Sequence, residues 1–178
     1  MIVILHNIRS LHNVGSIFRT ADAAGVSPHT KRALALKAQK KKNADARYGV
    51  GVYLCGITPS PVDEFGKLKP QFAKVALGAE KYIKWEKVKS TSALVDRLKS
   101  EGYKILAVEQ SRKSIPYHKV RVRPKDKVAL VLGSEIKGLP VTILSRVDKI
   151  LEIPMAGRKE SLNVAVAFGI VAFGLKYR

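Results

Sequence analysis

Three short polar islands interrupt the apolar stretches of this chain, and each carries residue types that can bind or activate a substrate. The first, residues 6–19, contains Asn13, Gly15, Ser16 and Arg19. Ser16 and Arg19 are three apart and share one helix face. A guanidinium fixed there could grip a phosphate through two parallel hydrogen bonds. The plainer roles are a surface ion pair with Asp22 for Arg19 and an ordinary helix cap for Asn13. The second island, residues 131–140, holds Gly133 and Gly138, which bare the backbone at a strand end, and Glu135 as its only acid. The plainer role there is a glycine turn. The third, residues 153–164, places Ser161 and Asn163 where an apolar helix opens and its first N–H groups are unsatisfied. Its plainer role is a capped core helix. Three such islands point to one assembled site.

Several chemistries do not fit. Leu139 and Pro140 stand where a phosphate-cradling loop needs Lys and Ser/Thr, and Gly49-Val50-Gly51 lacks the third glycine of a dinucleotide fingerprint. The four histidines and the single cysteine make no zinc spacing. No nucleophile elbow and no run of paired acids occurs.

The chain's 178 residues, 46% of them hydrophobic, predict one folded domain over 1–178. Lysine and arginine number 33 against 14 acids, a formal net charge of +19. That excess predicts a polyanionic partner. Nucleic acid ranks ahead of an anionic membrane, since no basic amphipathic helix with aromatic anchors is present. The longest apolar run, 164–175, is shorter than the roughly 20 residues of a membrane span. No signal peptide is visible, and Cys55 alone can form no intrachain disulfide, so it reads as a buried structural thiol. Cytoplasmic residence is the expectation.

The islands need strands and helices to position them. Apolar runs at 2–5, 52–55, 105–108, 128–132 and 149–153 read as strands. Helical spacing predicts helices from Asn13 to about 24, and over 71–77, 92–99, 141–146 and 162–176. Strands alternating with helices give an α/β fold with a mostly parallel sheet flanked by helices. Residues 28–51 break the rhythm. They carry seven basic residues against one acid and separate a helix from a strand that a short loop would ordinarily join. The segment reads as a basic insertion or arm.

Together the three islands resemble the motifs of the SpoU (TrmH) class of SPOUT RNA 2′-O-ribose methyltransferases. Asn13-x-Gly15-x3-Arg19 is similar to the first motif, and Leu132-Gly133-x-Glu135-x2-Gly138 to the second. Ile153-Pro154-Met155-x-Gly157-x3-Ser161-Leu162-Asn163-Val164 is similar to the third. The resemblance covers the chain except 28–51. It implies a domain whose C-terminal part forms a deep trefoil knot, a homodimer, and S-adenosylmethionine as cofactor. It also implies that Leu132, Gly133, Ile153, Met155 and Leu162 surround that cofactor. Arg19, Asn13, Glu135, Ser161 and Asn163 would form the catalytic and substrate-binding set, with Arg19 working at a site completed by the partner subunit. Structured RNA is the implied substrate, tRNA ahead of rRNA, and no metal is called for. The competing class is a non-catalytic RNA-binding domain that keeps the fold.

Two features depart from the family pattern. Ala165 stands where the third motif usually has a small hydroxyl residue. The insertion 28–51 falls where the family would join helix to strand almost directly. An RNA-binding arm, a foreign segment and a sequence error all remain open for it. The chain also begins at its first strand, so RNA binding is expected to come from the basic surface and to weaken steeply with salt.

Overall fold

The computed structural model describes residues 1–26, 50–123 and 125–177. Seven strands form one sheet in the order β3-β2-β1-β6-β4-β7-β5, and every neighbouring pair is parallel. The strands are β1 (Ile2–His6), β2 (Val52–Cys55), β3 (Trp85–Val88), β4 (Lys104–Val108), β5 (Ile115–Pro116), β6 (Val128–Leu132) and β7 (Lys149–Glu152). The helices are α1 (Leu11–Ala23), α2 (Pro70–Ala76), α3 (Thr91–Ser100), α4 (Val141–Leu144) and α5 (Val164–Lys176).

The central strands are apolar throughout because both faces of the sheet are covered. Val3 and Leu5 of β1 and Val128 and Leu130 of β6 join Ile17, Phe18, Phe72, Phe168 and Val171 in one buried layer under α1, α2 and α5. Ile2, Ile4, Ala129 and Val131 point the other way, into a second layer with Leu94, Val95, Leu98 and Ile143 of α3 and α4. The period-2 alternation of strand side chains produces this division.

Several elements differ from the sequence reading: the last helix begins at Val164 and not at 162, and the helix expected over 141–146 ends at Leu144. Helix α1 is capped by Ser10, whose side chain accepts the Asn13 N–H, so Asn13 is not the cap and lies inside the first turn. Strand β3 was not expected: Trp85-Glu86-Lys87-Val88 carries two charges and no apolar run, and it pairs on one side only. Strand β5 is two residues long and ends in Pro116, too short for any periodicity.

Gly15 belongs to the first island, yet its reason is packing. A Cβ there would lie 3.1 Å from the Val75 Cβ and 3.4 Å from the Phe72 carbonyl oxygen, so α2 crosses α1 at this residue. Phe18 and Phe72 meet edge to face beside it, 5.1 Å between ring centres.

The expected insertion 28–51 lies outside the described residues except for Val50 and Gly51. The chain on either side of it closes up, because a Cβ on Gly51 would sit 3.3 Å from the Val26 carbonyl oxygen. This junction is at the amino end of the strands. The three islands are at the carboxyl end, where parallel sheets bind ligands.

Candidate active site

Glu135 is the hub that joins the first island to the second. Its carboxylate accepts the Arg9 N–H at 3.0 Å, the Ser10 N–H at 3.3 Å and the Asn13 Nδ2 at 2.8 Å. Burial pushes this carboxyl up, but the hydrogen bonds from Arg9, Asn13 and Ser10 outweigh it and hold Glu135 below the usual carboxylate range. Asn13 then reaches the third island, because its Oδ1 accepts the Asn163 Nδ2 at 3.0 Å. Asn163 in turn caps α5, accepting the Ala165 N–H at 2.9 Å and the Val166 N–H at 3.4 Å. One chain of hydrogen bonds therefore runs from the loop after β6, through α1, to the mouth of α5. Asn163 fills both its plain role and a linking one.

Beside this chain lies a cavity of about 400 Å³ at the carboxyl ends of β4, β6 and β7. Leu132, Gly133, Ile153, Met155 and Leu162 all line it, as do Glu135 and Ser161. Asn13 and Asn163 do not line it and are joined to it through Glu135. Arg19 does not line it; it is exposed on α1, and no ion pair joins it to Asp22.

The second island is folded back on itself tightly. The Gly138 N–H donates to the Ser134 carbonyl at 2.9 Å. A Cβ on Gly133 would lie 2.4 Å from the Gly138 carbonyl carbon and 2.6 Å from the Leu139 nitrogen. Gly138 itself has φ +60, and a Cβ there would strike the Glu109 carboxylate. Glycine at both positions is a steric requirement.

Sequence reasoning missed Glu109 and Glu152. Glu109 follows β4 directly; its carboxylate accepts the Leu139 N–H at 2.8 Å and the Gln110 N–H at 3.0 Å. Glu152 accepts the Ser114 hydroxyl. Both line the cavity, and their position at strand carboxyl ends was the available signal. The cavity wall thus holds three carboxylates and one lysine, Lys137, within a chain of net charge +19. Acid is concentrated where the rest of the chain is basic.

A second polar group supports the first island from the other side. Thr58 is fully buried; its hydroxyl donates to the Leu5 carbonyl at 2.9 Å and accepts the Ile8 N–H at 3.1 Å. Lys87 Nζ donates to the Gly56 and Thr58 carbonyls. Asn7, at φ +55, donates through Nδ2 to His6 Nε2 at 3.0 Å, which leaves the Nδ1–H to meet the Thr91 hydroxyl at 2.8 Å. Burial holds His6 below its ordinary range and pushes the Cys55 thiol up to about 11. A neutral, buried thiol of that kind is a poor nucleophile, in keeping with a structural Cys55. Among the described residues, no helix is long and apolar enough to cross a membrane.

Comparison with known proteins places these features in a family. The model of the SpoU rRNA methylase family matches residues 54–173. The chain is 33% identical over 139 residues to a tRNA (guanosine(18)-2'-O)-methyltransferase of Borreliella burgdorferi, covering 78% of this chain and 62% of that one. It is 30% identical over 171 residues to a 23S rRNA (guanosine-2'-O-)-methyltransferase of Neisseria meningitidis, covering 96% of this chain and 56% of that one. Among solved structures, the AdoMet-bound rRNA methyltransferase of Sinorhizobium meliloti superposes with a TM-score of 0.74 at 26% identity, over 97% of this chain and 54% of the other. The chain spans about three fifths of the length of the curated relatives it matches.

Proposed function

Because this chain belongs to the SpoU rRNA methylase family, we propose that it methylates a ribose 2′-hydroxyl in structured RNA, with S-adenosylmethionine as methyl donor. The observation that carries the reading is the hydrogen-bond chain Glu135–Asn13–Asn163, which unites three islands far apart in sequence beside one cavity.

The cavity suits the cofactor. Its volume falls within the roughly 300–1,000 Å³ of small-molecule sites. Leu132, Ile153, Met155 and Leu162 offer apolar surface, Gly133 offers bare backbone, and Glu109, Glu135 and Glu152 offer negative charge to a cationic ligand. When bound, S-adenosylmethionine supplies a methyl carbon already activated on a positively charged sulfur. The protein's part is to align the hydroxyl and stabilise its developing negative charge. Arg19 does this as a cation; being always protonated, it is not the base, and the hydroxyl proton is released to solvent water as the methyl leaves the sulfur. Ser161, Asn13, Glu135 and Asn163 order the loop that receives the nucleotide.

Arg19 stands off the cavity of its own chain, and a homodimer resolves this by bringing it to the partner's cavity. The outer stripe of α5 supports that arrangement: Val166, Phe173 and Tyr177 are exposed at helical spacing, and the last two rings stack 5.7 Å apart. The C-terminal part is a deep trefoil knot in this reading. Strand β7 lies between β4 and β5, and the Gln110 side chain donates to the Glu160 carbonyl across the two loops, which supports the threading. The chain is one domain over 1–178 with a basic insertion at 28–51, a reading supported by the contact between Val26 and Gly51. tRNA is the first substrate to test and rRNA the second, in the cytoplasm.

The test is calorimetry with S-adenosylhomocysteine together with transfer of labelled methyl to tRNA and rRNA. Wild type binds and transfers. Arg19→Ala binds equally but loses roughly 100-fold or more in transfer. Equal transfer by both proteins, or no binding by wild type, overturns the reading.

A further inference from the structure

Phe65 is 86% exposed, more than any other large apolar side chain among the described residues. It sits at the tip of a turn that is pinned from several directions. The Asp63 carboxylate accepts the Phe65 N–H at 3.0 Å and the Lys67 N–H at 2.9 Å. The Asp63 N–H donates to the Lys67 carbonyl at 2.9 Å, and Val62 bridges Leu68. At the base, the Lys69 N–H donates to the Pro61 carbonyl, and Lys69 Nζ donates to the Ser60 carbonyl. Gly66, at φ +77, has open space where a side chain would be. An aromatic ring this exposed on a turn this well held gains nothing from its own fold. It is preorganised for a partner, which lowers the ordering cost of binding.

The root of this hairpin, residues 57 and 58, meets the start of the first island. Ile57 N–H donates to Asn7 Oδ1 at 3.1 Å, and Thr58 holds Leu5 and Ile8. Arg9 and Ser10, the next residues, hold Glu135. The ring is therefore carried on the same loop assembly that orders the first island. The hairpin's own charges cancel, Asp63 and Glu64 against Lys67 and Lys69. Attraction of the polyanion comes from the strongly basic chain as a whole, and the hairpin contributes an apolar face.

The geometry points to Phe65 as a stacking platform for an unpaired base of the RNA substrate. This rests on the RNA reading above and adds a substrate feature: a nucleotide splayed out of its helix. Stacking on an aromatic ring needs no particular base, so the residue sets affinity for unpaired RNA and not sequence.

The experiment measures binding of an unmodified tRNA transcript by wild type, Phe65→Ala and Phe65→Trp over a range of salt, with S-adenosylhomocysteine calorimetry as the check on folding. Phe65→Ala is expected to bind about 5- to 100-fold more weakly, while Phe65→Trp binds at least as well as wild type. Because no phosphate contact is removed, the slope of log Kd against log salt stays that of wild type. The proposal is overturned by binding of Phe65→Ala within twofold of wild type, or by a slope that falls by about one. It is also overturned if the substitution changes oligomeric state by light scattering, which would make the ring's occupant a second copy of the chain, or if wild type does not bind the transcript. Methyl transfer by wild type, run in parallel, separates failure of this inference from failure of the function.

Discussion

Replacing Gly133 with alanine tests whether the second island is a built turn. The added methyl would lie 2.4 Å from the Gly138 carbonyl carbon, 2.6 Å from the Leu139 nitrogen and 2.7 Å from the Gly138 oxygen. Comfortable carbon contacts begin at about 3.5 Å, so the facing backbone must retreat by about 1 Å. The retreat strains the Gly138 to Ser134 bond and the Leu139 N–H bond to the Glu109 carboxylate, now 2.9 Å and 2.8 Å. Overpacking costs about 1–3 kcal/mol and a hydrogen bond to a charged group about 1.5–3 kcal/mol. Since relaxation relieves part of one at the expense of the other, the expected loss is about 2–4 kcal/mol. In a chain of this size that lowers Tm by about 5–15 °C. Gly157→Ala is the control, because a Cβ there meets nothing within 4 Å. It should leave stability unchanged or raise it by up to about 1 kcal/mol. Circular dichroism melts and S-adenosylhomocysteine calorimetry read both, with binding to Gly133→Ala reduced at least tenfold. If Gly133→Ala melts within about 1 °C of wild type and binds the ligand normally, the steric account of this loop is wrong.

Three other perturbations follow from the same contacts. Glu135→Gln keeps the shape but puts an NH₂ toward donors, so it should lower stability at pH 7 by about 1 kcal/mol, a modest value because the residue is exposed. Since Glu135 is held below the usual carboxylate range, its stabilisation is present above about pH 4 and fades as pH falls through the lowered value. Urea titrations of both proteins at pH 7 and pH 3 should show the gap closing, and a gap that widens in acid refutes the assignment. Thr58→Val leaves the Ile8 N–H unpaired in a buried place and removes a second bond to the Leu5 carbonyl, so it should cost about 1–3 kcal/mol by chemical denaturation, whereas Thr58→Ser retains the hydroxyl and should cost less. Gly15→Val must displace α2 where Val75 stands 3.1 Å away, and a thermal melt should fall by an amount equivalent to about 2 kcal/mol.

What could be read from the sequence depended on how local each cause is. Val52–Cys55 and Val128–Leu132 match their expected strands because an unbroken apolar run has few other uses. Strand β3 escaped notice because Glu86 and Lys87 interrupt it, and its pairing with β2 is what makes it a strand. For α1, Ser10 and Asn13 are both good caps by type. Ser10 is the cap, and the Asn13 Oδ1, the atom a cap would use, instead accepts the Asn163 Nδ2 from 150 residues away, which no local rule can see. The same holds for the site. The islands could be named from type and spacing, whereas the cavity residues Leu132, Gly133, Ile153, Met155 and Leu162 are named only through the family that the three motifs resemble. The order Glu135–Asn13–Asn163 that binds the islands together could not be named, and for Glu109 the place after a strand was legible but the bond to the Leu139 N–H was not. Gly15 is a mixed case: it was read with a chemical motif, and the structure gives it a packing duty between α1 and α2.

The central claim is that the three islands make one site that methylates a ribose 2′-oxygen. The direct measurement is to incubate the protein with methyl-labelled S-adenosylmethionine and unmodified tRNA or rRNA, digest the product to nucleosides and locate the label. The account predicts label in a 2′-O-methylnucleoside, with the neighbouring linkage resistant to alkali. Label in a base-methylated nucleoside, or no transfer to either RNA, would contradict it.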